Sequence, residues 1–166
     1  MDELRVVARH VTETAEEVLG VFEGTHPGDS RPRAAITAAW RFVNGAPRSQ
    51  EQRVASLDAH RAAAGADTDA ARLAAQAAGD AASAAYLHPI AKAHQVGHIL
   101  RAAANTARIA EIDGGPEARD NALRRAVQRA TPVLVDVLCR YPAAPTGRSP
   151  VAQLMSTLDD RLRAAR

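Results

Sequence analysis

The chain has 166 residues, enough for one domain with a buried core and short for two. Lysine plus arginine number 21 against 19 acidic residues, a net charge of +2, and these charges alternate along the chain, so a pI near 9.2 marks no polyanion-binding surface. Cys139 is the single cysteine, which excludes an intrachain disulfide and predicts a cytoplasmic address, while the start MDELRVVARHV lacks a signal peptide's apolar run and no stretch approaches the roughly 20 apolar residues of a membrane span.

Alanine, the best helix former, recurs through nearly every segment between Gly and Pro punctuation. The composition therefore predicts an all-α, single-domain, alanine-rich bundle of six to seven helices over residues 1–166. The first helix is predicted from about Asp2 to Phe22, with Leu4, Val7, Val11, Val18 and Phe22 as its apolar stripe. A second runs from about Pro32 to Val43, carries Ile36, Trp40 and Val43, and stops at Asn44-Gly45. Ser49 and Gln52 have the capping-box spacing for a third helix, with Val54 and Leu57 predicted inward and Gly65 at its end.

The fourth helix, from about Asp69 to Tyr86, is so rich in alanine that periodicity does not choose its buried face. Pro89 is predicted to start a fifth, central helix that reaches Ile112, holds Ala103 in the bundle interior and ends at Asp113-Gly114-Gly115-Pro116. A sixth holds Leu123, Val127, Leu134 and Leu138 and is kinked or divided at Pro132. A proline-rich connection, residues 141–149, leads to a last helix capped by Ser149, with Pro150 at its first position. Aromatic residues make up only 3% of the chain, so alanine faces must bring helix backbones close together.

Two segments concentrate polar chemistry. In HPGDSRPR, residues 26–33, Pro27 and Gly28 build a turn and Asp29 or Ser30 caps the second helix. That leaves His26, Arg31 and Arg33, which either serve structure, with Arg33 bridging to an acidic neighbour, or form a binding site. The second segment contains His88, His94 and His98, the last two at the spacing that places imidazoles on one helix face. Such a pair can share a metal ion if His10, His60, Glu13 or Asp58 supplies a further ligand, or can act as a metal-free acid or base. Hydrogen bonding at a partly buried helix contact is the reading adopted, so no metal and no cofactor is expected.

Other motifs read as structure. Cys139 is expected to be a buried, inert thiol, and Gly114-Gly115 a turn with no phosphate-loop context. Arg119, Arg124, Arg125 and Arg129 are interrupted by Glu117 and Asp120 and lack aromatic neighbours for base stacking, so no nucleic-acid partner is expected, and no membrane.

HPGDSRPRAAI (26–36) and AARLAAQAAGDAASAAYLHPIAKAHQVGHILRAAANTA (70–107) together resemble the actinobacterial putative immunity proteins with an Imm-5-like domain, over roughly residues 15 to 110. The resemblance implies a helical domain that binds and neutralises a partner toxin without chemistry of its own. By the same resemblance His26, Asp29, Arg31 and Arg33, with His88 and His98, are the positions carried over for partner or ligand binding; His94 joins them from the spacing argument. The alternative is a small helical enzyme or small-molecule-binding protein, of the kind used in specialised metabolism, in which His26, Arg33, His94 and His98 converge on a pocket between helices.

Overall fold

The computed structural model describes residues 2–87 and 92–165. Seven α-helices and two 3-10 turns follow one another without a strand among the described residues: α1 Asp2–Thr25, α2 Arg31–Val43, α3 Gln50–Ala64, α4 Asp69–Ser83, α5 Gly97–Arg129, α6 Pro132–Cys139 and α7 Pro150–Ala164. The 3-10 turns, Ala84–Tyr86 and Ala93–Val96, end α4 and lead into α5. This is the all-α single domain expected from composition.

Local chemistry sets most boundaries. Thr68, Thr131 and Ser149 each accept a hydrogen bond from the backbone N–H three residues on, at 3.2 Å, and so cap α4, α6 and α7. Pro132 and Pro150 stand at first-turn positions, where no N–H is required. At the other end of α2 the Arg5 guanidinium donates to Phe42 O at 3.1 Å and Gly45 O at 3.0 Å, placing a cation at a helix C-terminus.

Helix α4 is the centre of the molecule, packed against α1, α2, α3 and α5. It buries Ala71, Leu73, Ala74, Ala75 and every residue from Ala77 to Ala82, so it has almost no solvent side. A helix apolar all round is a buried helix, and alanine lets four neighbours approach it. The sequence reading gave this place to the fifth helix; Ala103 of α5 is indeed buried, but α5 lies beside the centre. The larger side chains fill the outer layers, with Leu19 and Phe22 from α1, Phe42 from α2, and Leu134 and Leu158 from α6 and α7.

Three expectations are corrected. Helix α3 turns Val54 and Leu57 outward, 48% and 53% exposed, and buries Gln52, Ser56, Ala59, Ala62 and Ala63. The capping box fixes that phase. Gln52 Oε1 accepts from Ser49 N at 2.9 Å while its Nε2 donates to Ala38 O of α2 at 3.2 Å, so Gln52 must face inward and Val54, two residues and about 200° on, must face out.

Pro89 lies outside the described residues, but Lys92 is extended, at φ −117° and ψ 135°, so the fifth helix starts after it, at the 3-10 turn, and not as one run from Pro89. As the sequence led one to expect, the run assigned to a sixth helix divides at Pro132, with Leu123 and Val127 on α5 and Leu134 and Leu138 on α6. The intended turn before Pro116 is a single-residue break inside α5, where Gly115 has φ 76° and ψ −167°, a backbone that an L side chain resists.

Arg163 and Asp159 of α7 hold the proline-rich connection. Asp159, 1% exposed, accepts from Ala144 N at 2.9 Å and Arg163 Nε at 2.8 Å. Arg163 Nη2 donates to the carbonyls of Leu138, Tyr141 and Pro142 at 3.1–3.3 Å.

Enlarging α4 should be costly over its buried stretch from Ala77 to Ala82: Ala78→Leu is expected to lower stability by about 1 to 3 kcal/mol in urea unfolding, against little change for Ala64→Leu on the exposed end of α3.

Candidate functional site

The opening loop is a closed set of local contacts. Asp29 Oδ1 accepts from Arg31 N at 3.1 Å and Arg31 Nε at 2.9 Å, and Oδ2 from Arg31 Nη2 at 2.6 Å, so the carboxylate caps α2 while pinning the arginine beside it. That guanidinium holds the Asp29 carboxyl below its usual range. Arg33 reaches back to Glu23 of α1 with two parallel bonds of 2.5 and 2.6 Å, the acidic neighbour that the structural reading required. His26 stacks on Phe22 with ring centroids 4.6 Å apart.

The Thr25 hydroxyl donates to Phe22 O at 3.1 Å, so its contact with His26 Nδ1 at 2.8 Å has the imidazole as donor. His26 Nε2 then lies 3.5 Å from Asp67 Oδ2, without hydrogen-bond geometry.

His94 stands in the 3-10 turn and His98 in the first turn of α5, and the two take different hydrogen-bond partners, although His94 still acts electrostatically on His98. His94 is exposed and contacts Gln95 at 2.9 Å. His98 is half-buried and meets Ser83 of α4 at 3.2 Å. His88 lies outside the described residues. No contact joins His26 and Arg33 to His94 and His98, and none of four clefts of about 200 to 430 Å³ takes a wall from any of them.

His98 instead belongs to a polar cluster that sequence reasoning missed. Asp80, 0% exposed on α4, receives two bonds from Arg101 of α5, one of them from Nε at 2.8 Å, and His60 Nε2 of α3 lies 3.8 Å from the same carboxylate. Gly79 makes room for that imidazole, since a Cβ there would stand 2.8 Å from His60 Nε2. The available signal was a Gly-Asp pair inside a run of alanines, AAGDAAS. Burial lowers the pKa of both His60 and His98, with Arg101 acting in the same direction and Asp80 opposing.

The chemistry of this cluster is that of a fastening. The Ser83 hydroxyl donates to Asp80 O at 3.0 Å, so it accepts from His98 Nδ1–H and is not deprotonated by it. Among the described residues no three His, Cys, Asp or Glu side chains gather to hold a metal ion. Three of the four arginines of the sixth-helix face are likewise engaged: Arg119 with Glu111 and Asp120, Arg124 with Asn121, Arg129 with Glu17 and Thr14. Beneath Arg129, His10 of α1 is buried, and burial lowers its pKa to about 4.

The outward face of α3 has a different character. Val54 and Leu57 stand in solvent one turn apart, near Arg61, which is bonded to Asp58 at 2.8 Å, and Arg53, whose guanidinium lies 4.7 Å from the Tyr86 ring centroid. They are two of the four large hydrophobic side chains exposed among the described residues, and the two that share a helix face.

A family model described as Imm-5 like putative immunity protein matches residues 2–132, from the start of α1 through the first residue of α6. No curated protein and no solved structure matches the chain. No helix among the described residues is long and apolar enough to cross a membrane.

Gly79→Ala would add about 1 kcal/mol in helix propensity but collides with His60, so the single variant is expected to show no gain in urea midpoint. The gain should return when Gly79→Ala is made in a His60→Ala background. A second expectation concerns acid. Because folding lowers the His10 pKa from 6.5 to about 4, the unfolded chain binds a proton first as pH falls through that window, and stability is lost there. His10→Leu should remove about 2 kcal/mol of the loss measured between pH 7.5 and 5.0, leaving the smaller parts due to His60 and His98.

Proposed function

The chain belongs to the Imm-5 like putative immunity protein family, and from that premise we propose that it is a cytoplasmic protein that neutralises a toxin by binding it, with no chemistry of its own. The observation that carries the reading is the reversed face of α3: Val54 and Leu57 are displayed while Gln52, Ser56 and three alanines are buried. A helix that spends its polar residues inside and its aliphatic ones outside holds surface in reserve for another molecule. Two exposed aliphatic side chains framed by Arg53, Asp58 and Arg61 have the layout of an interface, an apolar centre with a charged rim. The engaged state of Ser83 and His98 supports binding over catalysis.

Burying one leucine side chain is worth about 1.5 to 3 kcal/mol, or roughly 10- to 150-fold in affinity. Co-expression with its partner toxin is expected to restore growth, and Leu57→Glu, with an unchanged melting temperature, to weaken toxin binding by about that factor and lose the rescue. Full rescue by a Val54→Glu/Leu57→Glu double variant would assign recognition to another surface.

A further inference from the structure

We infer that the partner received by the outward face of α3 is acidic, a protein segment with an aliphatic centre ringed by carboxylates; the inference rests on the toxin reading and names the chemistry of that partner. It is carried by the charges around Val54 and Leu57. On α3, Glu51 is bonded to Arg41 and Asp58 to Arg61, so these charges cancel in pairs. Asp58 acts on Arg31 of the opening loop as well. Two cations are left over, Arg48 just before α3 and Arg53 on it, both exposed. Among the described residues no carboxylate pairs with either, and their one hydrogen bond runs from Arg48 to Ala85 O at 3.5 Å.

Both guanidiniums lie instead over a single aromatic ring. Arg48 stands 5.2 Å and Arg53 4.7 Å from the Tyr86 centroid, which puts the two charges at most about 10 Å apart. Tyr86 is itself fixed, its hydroxyl donating to Ser49 O at 2.5 Å. One arginine would suffice to cover the ring; a second adds repulsion that salt screens only in part at this range, and an arriving carboxylate relieves it. Guanidiniums already held on a ring also lose less freedom on binding, and each can offer a carboxylate two parallel bonds.

The position of the surplus charge suits an interface. Arg53, Leu57 and Arg61 recur at four-residue intervals along α3, with Val54 one turn from Leu57, so the unpaired cation borders the aliphatic pair directly. A nucleic acid fits less well, because its phosphates make no use of Val54 and Leu57 and the Tyr86 ring is taken by guanidiniums, not offered to a base.

The test uses the full chain and two synthetic helical peptides of about 16 residues that share a leucine stripe, one with glutamate and the other with lysine at every polar position. Binding is followed by NMR at about 0.05 M and about 0.5 M salt. The glutamate peptide is expected to move the resonances of Arg53, Val54 and Leu57 and to bind at least tenfold more tightly than the lysine peptide at low salt, the gap closing below threefold at high salt. Arg53→Glu should abolish that preference with the melting temperature unchanged, and Leu57→Ser should weaken the glutamate peptide while leaving its salt dependence in place. Equal binding of the two peptides, binding by neither, or shifts confined to another surface would overturn the inference. Tighter binding of a single-stranded oligothymidylate than of the glutamate peptide would overturn it too, in favour of a nucleic-acid surface. The toxin reading is tested separately by co-expression: rescue that Leu57→Glu abolishes, in a chain that does not distinguish the peptides, would keep the toxin and discard its acidity.

Discussion

Helix α4 is enclosed by four other helices, and the rest of the structure follows from what such a position permits. An enclosed helix has no face on which to place a large residue without pushing a neighbour away, so its sequence reduces to alanine with few exceptions. Bulk is therefore displaced to the periphery, where leucines and the two phenylalanines seal the layers between α1, α2, α6 and α7. The scarcity of aromatic residues is a consequence of this design, because small-on-small packing derives its stability from many short contacts and not from a few large side chains.

The exceptions on α4 mark the points where the bundle is fastened. Asp80 with Arg101 ties the central helix to α5, and His60 of α3, admitted by Gly79, packs against the same carboxylate at 3.8 Å. Asp80 is fully buried while Arg101 is 39% exposed, so it is removal of the arginine that leaves an uncompensated buried charge. Alanine faces are nearly featureless and would tolerate sliding past one another. The Asp80–Arg101 pair and the Asn105 bond to Leu73 O supply directional contacts between α4 and α5 that alanine faces lack.

How much of this was legible in the sequence depends on the range of the chemistry involved. Caps are local, so Ser49, Ser149, Pro132, Pro150 and the break at Gly115 could be read from neighbours a few residues away, and the helix count followed from them. The facing of α3 could not. Periodicity looks for large apolar residues and found Val54 and Leu57, whereas the buried stripe is made of small and polar groups whose phase depends on a bond from Gln52 to Ala38 on another helix. That Arg33 would bridge to an acidic neighbour was one of the two readings the opening loop allowed, but that Glu23 of the preceding helix is that neighbour emerges only from the fold. Asp80, Arg101 and His60 come from three helices, and nothing in their spacing along the chain announces that they meet.

The outward phase of α3 also separates two pressures that most proteins must satisfy with the same residues. Val54, Leu57 and the neighbouring charged positions contribute little to the core, and exchanges at such exposed sites usually change stability by less than about 0.5 kcal/mol. Gln52, Ser56 and the alanines beneath them hold the helix in place whatever stands on its outer side. A lineage can therefore rewrite this face repeatedly, following a partner that is itself diverging, while the inherited scaffold stays fixed.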